Sequence, residues 1–233
     1  MKKLIFVMAG LIMMTVISAQ SLDEIVKKYT EANKLDKVAN LKTIKITASM
    51  SAMGMDIPIV MFMKSPNKIK SVTSINGQDM IQVFDGVKGY VVNPMGGSTD
   101  PVEMTPDQVA QTLRSSLFQN YLASYLKSGK LVLEGEDKVN DKPAYKLKAT
   151  LDGGNVVSMY IDKSTYFLVK TSTTTSQGGM TVNVDSYPSN YTETNGVMIP
   201  MKTSTSAQGM DMVLTFTKVE VDIPIDDSVF KVK

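Results

Sequence analysis

The sequence predicts a mainly β fold with some α: one strongly curved antiparallel sheet of about ten strands, carrying two helical insertions on its concave side. Three observations predict it. Apolar residues alternate two by two over long stretches, beginning at Thr43. Turn dipeptides such as Met53-Gly54, Asn76-Gly77, Asp85-Gly86 and Asn140-Asp141 punctuate the alternation at short intervals. Only two stretches show the three- and four-residue spacing of a helix, one near the N-terminus and one after Pro106.

Lys2 and Lys3 precede the mostly apolar run Leu4 to Ile17, and Ser18-Ala19-Gln20-Ser21 follows. This pattern reads as a secretory signal peptide, residues 1–19, cut after Ala19. The run is too short for a bilayer, which needs roughly 20 apolar residues. Residues 20–233 are then expected to be exported as one soluble domain, without the lipid-bearing N-terminal cysteine of a bacterial lipoprotein, because the chain contains no cysteine.

Without disulfides, the chain has to hold itself by burial alone. Its 25 basic and 23 acidic residues give a formal net charge of +2, which falls to zero once Lys2 and Lys3 are removed. The charges are interspersed, which argues against a nucleic-acid partner, since that needs a concentrated basic face. With no histidine or cysteine and no acidic run of calcium-loop spacing, no metal or other cofactor is expected.

In chain order, Ser21 and Glu24 form a capping box, and Leu22, Ile25, Val26, Tyr29, Ala32 and Leu35 share one face of a helix expected over 22–38. Its polar face, Asp23, Lys27, Lys28 and Glu31, reads as solvated. From Thr43 the period is two: Ile44, Ile46, Ala48 and Met50, then beyond Met53-Gly54 the set Met55, Ile57, Ile59, Met61 and Met63. This is a hairpin, in which Pro58 indicates an edge or a bulge. Strands follow at about 68–75, 79–84 and 88–92, and a meander is the simplest topology.

A Gly/Ser/Pro loop is expected over 95–101. Thr105-Pro106-Asp107-Gln108 then starts a second helix whose stripe Val109, Leu113, Leu117, Tyr121 and Tyr125 runs to a stop at Gly129. This helix lies across the sheet, as core or as lid. Strand signals recur at 131–138, 143–151, 155–162, 166–175, 180–187, 197–206 and 210–221, with Gly153-Gly154 and Gly178-Gly179 among the turns. Ser51 to Ile57 and Ser206 to Met212 echo each other; either glycine hairpins simply look alike, or they set methionines at matching places along one rim.

No nucleophile and base constellation is visible, no carboxylate pair stands out, and the glycine clusters lack a phosphate-loop lysine. The reading is non-enzymatic. Methionine is the compositional signal: 18 in the chain, four of them before residue 15, leaving 14. Flexible thioethers either fill an ordinary core or form a soft wall for an irregular apolar ligand.

The stretch Met80-Ile81-Gln82-Val83-Phe84-Asp85-Gly86-Val87-Lys88-Gly89-Tyr90-Val91-Val92-Asn93-Pro94 resembles the Asp-Gly, aromatic, Asn-Pro stretch of the LolA-like periplasmic outer-membrane lipoprotein carriers. Lys64-Ser65-Pro66 stands where that family has Lys-Arg-Pro. Asn195 to Pro200 and Ile225 to Phe230 are similar to family endings. The resemblance implies an unclosed β-barrel with helices as a lid over a hydrophobic cavity that takes the acyl chains of lipoproteins, or of other lipids, towards the outer membrane. Inner-membrane donor and outer-membrane acceptor proteins would be its partners. The cavity is then expected among Met50, Met55, Ile57, Ile59, Met61, Met63, Met80 and Phe84, faced by Leu113, Leu117 and Tyr121. In the family the arginine of Lys-Arg-Pro latches the lid; Ser65 replaces it here, so either Arg114, the sole arginine, is a reversed latch onto sheet carbonyls, or the protein does not gate in the family's manner and carries another lipid. The alternative is a non-enzymatic sensor or envelope-assembly adaptor that uses the same fold to bind a protein, with a fully packed interior as its sign.

Overall fold

The structure, a computed structural model, describes residues 20–151, 154–177 and 180–232. The signal peptide and the turns at Gly153 and at Gly178-Gly179 lie wholly or partly outside the described residues.

The thirteen strands of the sheet are β1 (Thr43–Ala52), β2 (Met55–Lys64), β3 (Lys68–Ile75), β4 (Gln78–Phe84), β5 (Gly89–Asn93), β6 (Ser98–Glu103), β7 (Leu131–Val139), β8 (Lys142–Thr150), β9 (Val156–Asp162), β10 (Leu168–Gln177), β11 (Met180–Thr194), β12 (Val197–Ala207) and β13 (Met210–Val221). Their spatial order is β6-β5-β4-β3-β2-β1-β13-β12-β11-β10-β9-β8-β7. Two antiparallel meanders meet where β1 pairs with β13, and the outer strands β6 and β7 do not pair with each other, so the sheet stays unclosed.

The strand count is thirteen rather than about ten. One addition is β6, where the sequence indicated only a loop; Pro101 is tolerated there because β6 is an edge strand and bonds to β5 alone. Another difference is β11, which runs on through Pro188 to Thr194. The turns explain the register: Met53-Gly54, Asn76-Gly77, Asn195-Gly196 and Gln208-Gly209 all have both φ values positive, the two-residue turn whose twist matches paired strands. Ala52 faces Met55 on one side and Met212 on the other, so the two echoing hairpins are neighbours along one rim.

Helix α1 (Leu22–Ala32) starts at Ser21, whose hydroxyl accepts from the Glu24 amide at 3.2 Å. It ends at Ala32 rather than running to 38. Asn33 caps it by donating to the Tyr29 carbonyl at 2.8 Å and the Tyr166 carbonyl at 3.2 Å. Lys34 is left-handed, and a 3-10 turn follows at Leu35–Asn40.

The second predicted helix is two helices, α2 (Pro106–Arg114) and α3 (Tyr121–Lys127). The capping box of Thr105 and Gln108 forms as expected. The break follows from Ser115, whose hydroxyl bonds back to the Thr112 carbonyl at 2.6 Å, and from Asn120, which caps α3 by accepting from the Ala123 amide at 3.1 Å. No described helix is long and apolar enough to cross a membrane.

The helices pack on one face of the sheet, here called the inner face. α1 and α3 bury Ile25, Val26 and Leu122 against β7–β9, chiefly on Leu131, Leu147, Met159 and Ile161. The 3-10 turn and the end of α2 close on the middle of the sheet, on Ile44, Ile46, Met63, Val197 and Ile199. On the outer face the C-terminal segment seats Ile225 and Phe230 against Val83.

Candidate functional site: an apolar cavity under the helices

Between those two inner-face clusters the packing leaves a cavity of about 540 Å³. Its floor is Ile44, Val157, Met159, Val197 and Ile199, with Thr171 and Thr173 of β10; Leu117, Tyr121, Leu122 and Tyr125 roof it. Tyr29, Asn33 and Leu35 form one wall, while Gln111, Arg114, Ser115 and Gln119 stand at the roof's polar edge. Alternating strand geometry makes such a floor, because every second residue of β1, β9 and β12 points to the helices.

The polar groups within are neutral. Burial pushes the Tyr29 phenol up to about 12, and burial does the same for Tyr121, also to about 12. Tyr191 is raised further by burial, and its hydroxyl donates to the Leu168 carbonyl at 2.8 Å. Tyr121 donates to the Leu113 carbonyl, joining α3 to the end of α2.

The roof is seated unevenly. α3 is fixed: Leu122 is buried, and Asn120 donates to the Thr30 hydroxyl of α1 at 2.7 Å. α2 has no buried residue. It is held at its start, where the Met104 amide donates to the Gly89 carbonyl at 2.8 Å, and at its end through Leu113 and Leu117. A smaller hollow of about 270 Å³ adjoins the main one, sharing Gln111 and Ser115 with it and lined also by Met61, Ile69, Ser71 and Gln82 of the sheet and by Gln108 and Thr112 of α2.

No protein-family model and no curated protein matches the sequence. Solved structures do. A LolA superfamily protein from Nitrosomonas europaea superposes with a TM-score of 0.60 at 15% identity, over 91% of this chain and 98% of that one. The chain has a LolA-like fold.

A putative outer membrane lipoprotein-sorting protein domain from Vibrio parahaemolyticus gives a TM-score of 0.59 at 11% identity, covering 90% of this chain and 97% of its own. A DUF1329 family protein from Desulfovibrio piger gives 0.59 at 15% identity, covering 89% and 97%. At such identities these are likenesses of fold.

Within this LolA-like fold the register sets all eight strand candidates on the inner face. Met50 faces Ile57; Ile59 faces Thr73 and, beyond it, Met80; Met63 faces Ile69 and then Phe84. Ile57, Ile59, Met63 and Phe84 are buried, and Met50, Met61 and Met80 half-buried; Met55 stands at the rim, 50% exposed. Met61 lines the smaller hollow, and Leu113 lines a shallow groove beside Gly89 and Val109. Leu117 and Tyr121 roof the main cavity.

The floor comes from the opposite half of the sheet, β9 to β12, together with Ile44. The sequence showed these strands as alternating, but the methionines and the resemblance drew attention to the first hairpin instead. Of the latch candidates, Ser65 lies after β2 and donates its amide to the Lys42 carbonyl at 2.9 Å. Arg114 ends α2 at the cavity's edge, and among the described residues no hydrogen bond or ion pair joins it to a sheet carbonyl or to any other group.

Proposed function

We propose that this protein is a non-enzymatic periplasmic carrier that takes acyl chains of lipoproteins, or of other lipids, into the inner-face cavity and moves them towards the outer membrane. The observation that carries the reading is the cavity itself: about 540 Å³, floored by aliphatic side chains and roofed by a helical segment whose first half, α2, has no fully buried residue. The likeness in fold to a putative outer membrane lipoprotein-sorting protein domain is consistent with it.

The chain's own residues account for uptake and release. Each methylene moved from water to the cavity is worth about 0.8 kcal/mol, so a dozen fully buried methylenes give roughly 10 kcal/mol. A closed pocket of that depth would retain its cargo. Here α2 and the 115–120 connection can lift while α3 stays fixed to α1, exposing the chain without unfolding the sheet. Donor and acceptor proteins of the inner and outer membranes are the expected partners, meeting the protein at the α2 side. An adaptor that bound only a protein would be expected to have a packed interior; the hollow favours the carrier.

Native mass spectrometry of the protein isolated under mild conditions from the periplasm, combined with uptake of a fluorescent acyl probe, tests this. Co-purified lipid or lipopeptide, with probe displaced by it, is expected. Consistently empty protein that takes up no probe would sink the carrier reading.

A further inference from the structure

Arg114 is the one charged side chain among the residues that line the main cavity, and Gln111, Ser115 and Gln119 flank it. A cation at a helix C-terminus is commonly explained by the exposed carbonyls of the last turn. That explanation is weakened here, because two of those carbonyls, Thr112 and Leu113, are already bonded. The Thr112 carbonyl accepts from the amide and the hydroxyl of Ser115, and the Leu113 carbonyl accepts from the Ser116 amide and the Tyr121 hydroxyl. Among the described residues the guanidinium makes no hydrogen bond or ion pair, and its electrostatic neighbour is the neutral Tyr121 phenol, at the rim of a hollow whose described lining holds no carboxylate. A half-buried guanidinium presents a planar fork of donors suited to a carboxylate or a phosphate.

Size adds a second constraint. A water's share of liquid volume is about 30 Å³ and a methylene takes about as much, so a cavity of 540 Å³ holds about 18 such groups. That matches the bulk of one long acyl chain. Resting on the acyl-binding reading above, we infer that the ligand is a single-chain anionic amphiphile, its tail between the floor and α3 and its carboxylate or phosphate on Arg114 with Gln111, Ser115 and Gln119. Arg114 thereby selects the head group, instead of serving as the reversed latch considered from the sequence.

The test uses four probes that displace a fluorescent acyl reporter: tetradecanoate, tetradecyl phosphate, tetradecanol, and a phosphatidic acid with two tetradecanoyl chains. The two single-chain anions are expected to bind about tenfold more tightly than the alcohol, a difference of about 1.4 kcal/mol. Arg114→Gln should collapse that ratio towards one, and Arg114→Lys should keep part of it, with thermal melts showing both variants folded. The tighter of the two anions tells a fatty-acid head from a phospholipid head, and either supports the assignment. Equal binding of alcohol and anions, a preference that survives Arg114→Gln, or two-chain binding tighter than single-chain binding would each overturn it. Failure of all four probes would instead remove the acyl-binding reading on which the assignment rests, which binding of the alcohol alone would leave standing.

Discussion

Gly89→Ala should loosen the roof. The added methyl would lie 2.7 Å from the Met104 sulfur, 3.0 Å from a Val109 methyl and 3.1 Å from the Met104 Cβ, where carbon atoms settle at about 3.5 to 4.0 Å. The thioether end can swing aside, but the Met104 Cβ and Val109 are fixed to the start of α2 and move only with it. Overpacking of this kind costs about 1–3 kcal/mol. Replacing glycine removes unfolded-state freedom and offsets about 0.4–1 kcal/mol of that, since Gly89 is not at positive φ.

A net loss of about 1–2 kcal/mol corresponds to a fall in Tm of about 2–8 °C for a domain of this size. The measurements are thermal denaturation, hydrogen exchange over residues 104–115, and the off-rate of an acyl probe. Faster exchange confined to α2 and faster probe release should accompany the lower Tm. A raised Tm with α2 protection unchanged would refute the reasoning, because it would mean that β5 and α2 do not meet as closely as Gly89 requires.

The other half of the roof should respond differently. Leu122→Ala truncates a side chain only 3% exposed between α1 and β7–β9, so it should cost about 2–4 kcal/mol by chemical denaturation; a loss under about 0.5 kcal/mol would show that α3 is not an anchor. Lys64 and Lys68 hold the Asp227 carboxyl down to about 2, below its ordinary 3.8, at 2.7 and 2.9 Å. Because the folded value is the lower one, these pairs add stability above about pH 4 and lose it as the pH falls through about 2. In Asp227→Asn the melting temperature should fall less steeply between pH 4 and pH 2 than in the parent, and identical slopes would dismiss the pairing. Across saturated acyl probes, affinity should rise with each methylene and level off near about 18 carbons, the capacity set by about 30 Å³ per group; a plateau at short chains would mean the cavity is not the tail site.

The sequence by itself determined most of the strands, the tight turns between them and the helix starts at Ser21 and Thr105, though not β6 or the end of α1. These signals are local: period-two alternation, two-residue turns that need positive φ, and hydroxyl or amide side chains at helix starts all act within a few residues of themselves. It also determined that Met55, Ile57, Ile59, Met61 and Met63 share a face, since pleating alone decides that, and the two-residue turn at Met53-Gly54 sets Met50 opposite Ile57 on the same face. What it could not determine was anything that depends on which strands become neighbours. The pairing of β1 with β13, 160 residues or more away in sequence, carries the second meander round and brings β9–β12 under the helices. The cavity therefore opens on Val157, Met159, Thr171 and Ile199, and none of the hairpin's methionines lines it. The helix break at Ser115 to Asn120 depended on tertiary structure as well: the apolar stripe runs through it unbroken, and it is the bond from Asn120 to Thr30 of α1 that fixes α3 apart from the lightly seated α2, whose end is joined to it through Tyr121 and Leu113. That separation also leaves Arg114 unpaired at the cavity's edge, because a charge finds or lacks a partner through the fold around it and not through its place in the chain.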